Sequence, residues 1–196
     1  MLVLGVDTSL RLLSAALVRD GTLIGAVALE GKDSRNEKLL PAVDWLLSES
    51  GVALGAIDLF AVTRGPGSFT GVRVGLATVQ GMALALDRPV CAMSTHEAIA
   101  SNQTVTIADD AGRGEFYVSR YERGVEVEPP HLAREVDDRA LRVADFVQRE
   151  NVGACCARRA AAIAGSGDLA RYADITPIYV RLAEAEVKLQ QRSGAR

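Results

Sequence analysis

The sequence has 196 residues, 22 Lys+Arg against 25 Asp+Glu, and a formal net charge of −3. At 48 % apolar, 24 % charged and only 5 % aromatic, it reads as one large or two small globular domains whose core is built from Val, Leu and Ala. No apolar run reaches the ~18 residues of a membrane span, Met1 to Asp7 lacks the basic region of a signal peptide, and the acidic balance argues against a surface built to grip phosphate backbones.

Met1 to Val6 is a short apolar run that predicts a buried strand, followed by the polar turn Asp7-Thr8-Ser9. Ser14 to Arg19 and Thr22 to Glu30 flank Asp20-Gly21, a hairpin signal, so the chain opens as a three-stranded meander. Asp33 or Ser34 can cap a helix, with Glu37 placed as in a capping box. Leu39, Leu40, Val43, Leu46 and Leu47 then recur on one helical face until Gly51. Ile57 to Thr63 predicts a strand, Arg64 to Ser68 a turn, and Ser68 or Thr70 the cap of a long helix running to about Asp87. Pro89 to Met93 is a further short strand. This order is that of a ribonuclease-H-like unit, a mixed sheet covered by helices.

A second version starts near Thr104. Val105 to Asp110 is again an apolar strand ending in acid, Glu115 to Arg120 and Val125 to Glu128 read as strands around Arg123-Gly124, and Leu141 to Arg149 and Ala157 to Ala164 read as helices. Two such units in tandem make the actin-like duplication, with domains at 1–100 and 101–196, the second shortened, joined near Ala100 to Gln103.

Chemistry-bearing residues are scarce. Cys91, Cys155 and Cys156 have no CxxC spacing and read as packed thiols of a reduced, cytoplasmic protein. His96-Glu97-Ala98-Ile99-Ala100 starts like the zinc-protease motif HExxH, but Ala100 stands where the second ligand belongs, and a lone imidazole cannot hold zinc. Asp7 could hold a water or Mg²⁺, or cap its own turn.

The most unusual stretch is Arg64-Gly65-Pro66-Gly67-Ser68-Phe69-Thr70-Gly71-Val72-Arg73-Val74-Gly75. It leaves a strand and opens a helix, a place where backbone N–H groups can bind an anion. Yet no Lys follows as in a P-loop, and the glycine spacing is not that of a dinucleotide fingerprint. Tight backbone packing is the better use of these glycines.

The stretch resembles the hallmark of the TsaB (YeaZ) family, a subunit in bacterial tRNA threonylcarbamoyladenosine synthesis. Leu4 to Ser9, Leu39-Leu40-Pro41, Asp110 to Tyr117, Gly165-Ser166-Gly167, and Pro177 to Arg181 followed by Ala185-Glu186 resemble further segments of that family in its order. Arg35, where many relatives carry His, and Gly112, where Arg is usual, depart from it. The resemblance implies an actin-like ATPase fold, no chemistry of its own, and a TsaD-type catalytic subunit and a TsaE-type ATPase as partners. ATP and metal would sit on those partners, and tRNA would be met only through them. The His pair of the catalytic sister corresponds to Thr95 and Ile99, which cannot replace two imidazoles. The glycine that phosphate-binding turns of this superfamily place after the first Asp is absent after Asp7. An active ATPase or small-molecule kinase is the alternative, with Asp7, Gly165 and Gly167 as its weak nucleotide-site candidates; a metallopeptidase is a third reading.

Two helices carry the expected partner surface. On a wheel of ~100° per residue, Trp45 falls opposite the core face of the first helix, beside Pro41, either covered by a neighbouring element or an interface anchor. The long helix is apolar nearly all round apart from Arg73, Gln80 and Asp87. Its stripe of mostly small residues, Gly71, Gly75, Thr78, Met82 and Ala85, allows close approach of a backbone from this chain, from a second copy in a homodimer, or from the partner.

Overall fold

The computed structural model describes residues 1–30 and 35–181. The expected caps Asp33 and Ser34 and the Ala185-Glu186 pair lie outside the described residues. Strands β1 (Leu2–Asp7), β2 (Leu12–Arg19) and β3 (Thr22–Glu30) form the expected meander. Helix α1 (Arg35–Glu49), strand β4 (Leu59–Thr63), helix α2 (Phe69–Ala85) and strand β5 (Val90–Met93) complete the first unit. The sheet order is β3-β2-β1-β4-β5; β1 runs antiparallel to β2 and parallel to β4, with Val3 opposite Leu59.

The short helix α3 (Thr95–Ala100) follows, then strands β6 (Val105–Gly112), β7 (Glu115–Glu122), β8 (Val125–Ala133) and β9 (Leu141–Arg142). The second sheet runs β8-β7-β6-β9, and β9 pairs parallel to β6 with Leu141 opposite Ile107. That is the order of the first four strands of the first sheet, so the actin-like duplication is visible in the topology itself. Helix α4 is the single turn Val143–Phe146, and α5 spans Val152–Ser166.

Three sequence expectations change here. Leu141 and Arg142 are not helical, because they close the second sheet beside Ile107 and Ala108. Helix α5 begins at Val152, ahead of Ala157, because the Asn151 side chain caps it by accepting from the Ala154 N–H at 2.9 Å. Strand β8 continues beyond Glu128 through Pro129-Pro130, which an edge strand tolerates because its outer N–H groups need no partner.

Alternation along β1 sets the layers. Leu2, Leu4 and Val6 point to one face, where Leu39, Val43 and Leu46 of α1 and Val72, Leu76 and Val79 of α2 complete a buried cluster. Val3 points to the other face and joins Leu59, Ala61, Cys91 and Met93 under Cys156, Ala157, Ala160 and Ile163 of α5. Each fully buried Leu or Val of these clusters is worth roughly 1.5–3 kcal/mol. Helix α5, from the segment assigned to the second domain, therefore covers the first sheet. It comes so close that a Cβ on Gly5 would stand 2.1 Å from the Gly153 carbonyl oxygen and 2.7 Å from the Ala157 nitrogen. The Gly153 N–H donates to Ser14 Oγ at 2.9 Å, and the Asn151 side chain donates to the Val27 carbonyl at 3.0 Å. We call the first sheet with α1, α2 and α5 the first lobe, and the second sheet with α4 the second lobe.

Gly5→Ala should be costly although it adds one methyl, because the methyl meets backbone that cannot swing aside. Overpacking of this kind costs about 1–3 kcal/mol, read as a lowered midpoint in urea unfolding. Gly165→Ala, where a Cβ meets open space, should leave the midpoint unchanged or raise it.

Candidate functional site: the Asp7 turn, the interlobe cleft and the outer helix faces

The turn after β1 is locked by the glycine-rich segment that follows β4. Thr8 Oγ1 donates to the Gly71 carbonyl at 2.6 Å, and the Ser68 N–H donates to the Ser9 carbonyl at 2.7 Å. A Cβ on Gly71 would stand 2.0 Å from the Thr8 carbonyl oxygen, and one on Gly75 would stand 2.3 Å from Thr8 Oγ1. Gly67 adopts φ +149°, and a Cβ there would stand 2.4 Å from the Ser9 carbonyl oxygen. Ser68 caps α2 by accepting from the Gly71 N–H. The glycines are thus a socket for the Asp7-Thr8-Ser9 turn, the packing use expected of them.

This corrects the small-residue stripe. Gly71 and Gly75 face Thr8 of their own chain, and Met82 packs half-buried against the first lobe's core. Thr78 is half-buried, and only Ala85 of the five is exposed.

Asp7 is buried completely. Its Oδ1 accepts from Ser9 N–H at 3.2 Å, from Ser9 Oγ at 2.6 Å and from Thr63 Oγ1. Its Oδ2 has no hydrogen-bond partner among the described residues. Burial pushes the carboxyl's pKa above the usual carboxylate range, against the hydrogen bonds from Ser9 and Thr63. Ser9 Oγ lies 2.8 Å from Thr95 Oγ1, so the Thr95 hydroxyl serves this network. Ile99 is buried in an apolar cluster with Leu10, Ile107 and Tyr121. Among the described residues, no group of three or more His, Cys, Asp or Glu is placed to hold a metal ion.

His96 is buried, its Nδ1 2.6 Å from Ser119 Oγ, and burial lowers its pKa to about 3, so the ring is neutral. Cys91 and Cys155 are pushed up to about 12 and about 11 by burial, and Cys156 rises for the same reason, so none of the three is an activated thiol. Gly165 lies in the last turn of α5, and Gly167, at φ +82°, closes that helix by donating to the Ala164 carbonyl. A helix C-terminus presents carbonyl oxygens, which repel a phosphate.

Between the lobes runs a cleft of about 820 Å³, with Ser9, Leu10, Gly67 and Ser68 on one wall and Asp109, Asp110, Gly112 and Tyr117 on the other. Asp109 was not among the expected site residues, although the acid-ended strand pattern put it in view. Burial, with a smaller repulsion from Asp7, raises its pKa to about 7.

Helices α1 and α2 pack against each other, and their outer faces hold large apolar groups left in water. Trp45 is 54 % exposed, Leu40 54 % and Leu84 81 %. Exposed Pro41 and Trp45 line an apolar groove of about 350 Å³ with Ala42 and with Val27 and Leu29 of β3. Trp45 is thus uncovered, as one of its two readings required. Leu84 was missed, but its signal is in the sequence: it falls on the same strip of α2 as Arg73, Gln80 and Asp87, a large apolar side chain among polar ones.

Repeated strand order, helices on both faces of the first sheet and an interlobe cleft define a protein of the actin-like, ribonuclease-H-like class. The family model of TsaD, tRNA N6-adenosine threonylcarbamoyltransferase, matches residues 29–171. The tRNA threonylcarbamoyladenosine biosynthesis protein TsaB of Escherichia coli is 37 % identical over 130 residues, covering 63 % of this chain and 56 % of that protein. TsaB of Bacillus subtilis is 32 % identical over 155 residues, covering 76 % of this chain and 65 % of that protein. The structure of YeaZ from Pseudomonas aeruginosa superposes with a TM-score of 0.71 at 28 % identity, covering 91 % of this chain and 99 % of that one. The chain belongs to the TsaB (YeaZ) family. The match spans from a little over half to just under two thirds of the length of these curated relatives.

Two outcomes follow. Gly75→Leu should unfold the chain or lower its stability by at least ~1–3 kcal/mol, because the side chain meets Thr8; circular dichroism and urea unfolding read this. Asp109→Asn should stabilise the protein increasingly as pH rises. The folded carboxyl is neutral up to about pH 7 while the unfolded one ionises near the ordinary 3.8, so folding takes up a proton between these values and loses stability as pH rises through the window. The gain from Asn should grow from about pH 4 to pH 7 and level off above, read as unfolding free energy against pH.

Proposed function

We propose that this chain is a non-catalytic subunit of the bacterial machinery that transfers a threonylcarbamoyl group to the adenosine next to the anticodon of tRNA. It acts in the cytoplasm by docking on a TsaD-type catalytic subunit and shaping it, with a TsaE-type ATPase completing the assembly and tRNA met only through the partners. The observation that carries this reading is the pair of outer helix faces. Leu84 and Trp45, at 81 % and 54 % exposure on neighbouring helices, suit anchors that lose their water when a partner arrives. The same faces suit a second copy of the chain, so a homodimer in the absence of partner belongs to the proposal.

Packing at the Asp7 turn supports the absence of chemistry. An ATPase or kinase of this class needs an open loop of backbone N–H groups for phosphate. Here the Ser9 N–H is engaged by Asp7 and the Ser68 N–H by Ser9, while Thr8 fills the glycine socket. Asp7, with Oδ1 receiving three donors, is a keystone of that packing. ATP and metal are accordingly assigned to the partners.

Binding to the TsaD-type protein of the same organism, followed by titration calorimetry and by Trp45 fluorescence, tests the reading. Emission should move to shorter wavelength on binding, and Trp45→Ala and Leu84→Asp should each weaken binding by about 2 kcal/mol or more with little change in the unfolding midpoint. Unchanged affinity in both variants would place the interface elsewhere. Steady ATP turnover by the isolated chain, abolished by Asp7→Asn, would replace the reading with the kinase alternative.

A further inference from the structure

The last described segment, residues 174–181, does not end on the lobe where it starts. The Ile178 N–H donates to the Arg64 carbonyl at 2.7 Å, and Arg64 Nη1 donates to the Thr176 carbonyl at 3.0 Å and to Asp174 Oδ2 at 3.3 Å. Tyr179 stacks on Phe69 at 4.8 Å between ring centroids, and its hydroxyl accepts from Arg73 Nε at 2.7 Å. The Arg73 guanidinium lies 3.9 Å over the Phe69 ring, so the three side chains form one stack at the start of α2. Two residues on, Arg181 reaches the second lobe, where it donates to the Ala111 carbonyl at 3.0 Å and ion-pairs with Glu115. Ala111 lines the interlobe cleft, and Phe69 directly follows Gly67 and Ser68 of the facing wall.

We propose that residues 174–181 are a strap across the rim of the interlobe cleft, holding its two walls at a fixed separation, and that release of the Arg181 anchor opens the cleft. The two anchors differ in strength. The first-lobe end combines three hydrogen bonds with Arg64, an aromatic stack and a cation over a ring. The second-lobe end is one guanidinium, on an ion pair whose two side chains are each 25 % exposed. The strap therefore lets go at Arg181 first and stays docked on α2. Contacts on the α3 side act as the hinge: His96 meets Ser119, the Ser94 and Tyr121 hydroxyls lie 3.0 Å apart, and Arg159 Nη2 donates to the Gly124 carbonyl at 3.3 Å. These groups are buried or half-buried and hold the lobes together on that side whether or not the strap is engaged. A ligand spanning an interlobe cleft closes it by touching both walls; here the chain's own segment makes that connection. The inference does not rest on the partner proposed above.

Spin labels on Glu49→Cys and Glu122→Cys, exposed positions on the two lobes, in a Cys155→Ala background of the full chain, report the interlobe distance by pulsed electron resonance. The unaltered strap should give one narrow distribution. Arg181→Ala should at least double its width or add a longer distance, Glu115→Gln should do the same from the other side, and the charge exchange Arg181→Glu with Glu115→Arg should restore the narrow form. Circular dichroism and urea midpoints confirm that each variant is folded; if one is not, the other single variant decides. A distribution as narrow in the folded single variants as in the parent overturns the proposal, since the α3 side alone would then set the cleft. Equal broadening in the single variants and the charge exchange overturns it too, because the ion pair would not be the link.

Discussion

Thr8 enters a socket that only glycines can form. Its hydroxyl reaches the Gly71 carbonyl, its backbone fills the space a Cβ on Gly71 would take, Gly75 clears room for its Oγ1, and Gly67 does the same for the neighbouring Ser9 carbonyl. Because this turn joins β1 to β2, and the socket joins β4 to α2, one contact fixes the central strands of the first sheet and the helix that covers them. Asp7 is drawn inside by the same docking, which leaves its carboxyl buried and its pKa raised. A polar group kept out of water needs hydrogen-bond partners, and the donors from Ser9 and Thr63 supply them at Oδ1. The hydroxyls of this neighbourhood therefore answer to the packing of the turn.

Elements whose signal is local were legible in the sequence. The opening meander, the buried face of α1 at Leu39, Val43, Leu46 and Leu47, and the long helix α2 stand where alternation, turn residues and helical spacing put them; Leu40, expected on the same face of α1, instead points outward. What could not be read depended on distant partners. Leu141 and Arg142 are a strand only because Ile107 and Ala108 offer an edge, and α5 lies on the first sheet only because Gly5 and Gly153 permit it. The candidate site divides in the same way. Trp45 was legible because the apolar face of α1 is narrow enough to exclude it. The stripe on α2 reads as internal or external alike at Gly71 and Gly75, because a helix that is apolar nearly all round does not say which side meets its own chain.

Charge and apolar surface are also arranged unequally. The interlobe cleft carries Asp109, Asp110 and Glu30 against Arg11, which Glu30 itself engages. The outer faces of α1 and α2 carry Leu40, Trp45 and Leu84. Carboxyl side chains thus gather at the cleft, while exposed apolar side chains gather on the helices. Physical chemistry places the two properties on different parts of the molecule, so the helix surface can be altered without touching the cleft.

The crossing of Gly5 by Gly153 has a consequence for the order in which the protein can be made. The strands of the first sheet are complete when Met93 has been added, but the helix that covers one of their faces ends at Ser166. On a ribosome adding ~5–20 residues per second, that face, with Val3, Leu59 and Met93 on it, stays uncovered for several seconds or longer. During that interval it is open to chaperones and to other nascent chains. The strands β6 to β8, a local meander within one stretch of chain, face no such delay and can close first, reversing the usual expectation that the N-terminal half of a growing chain settles before the rest.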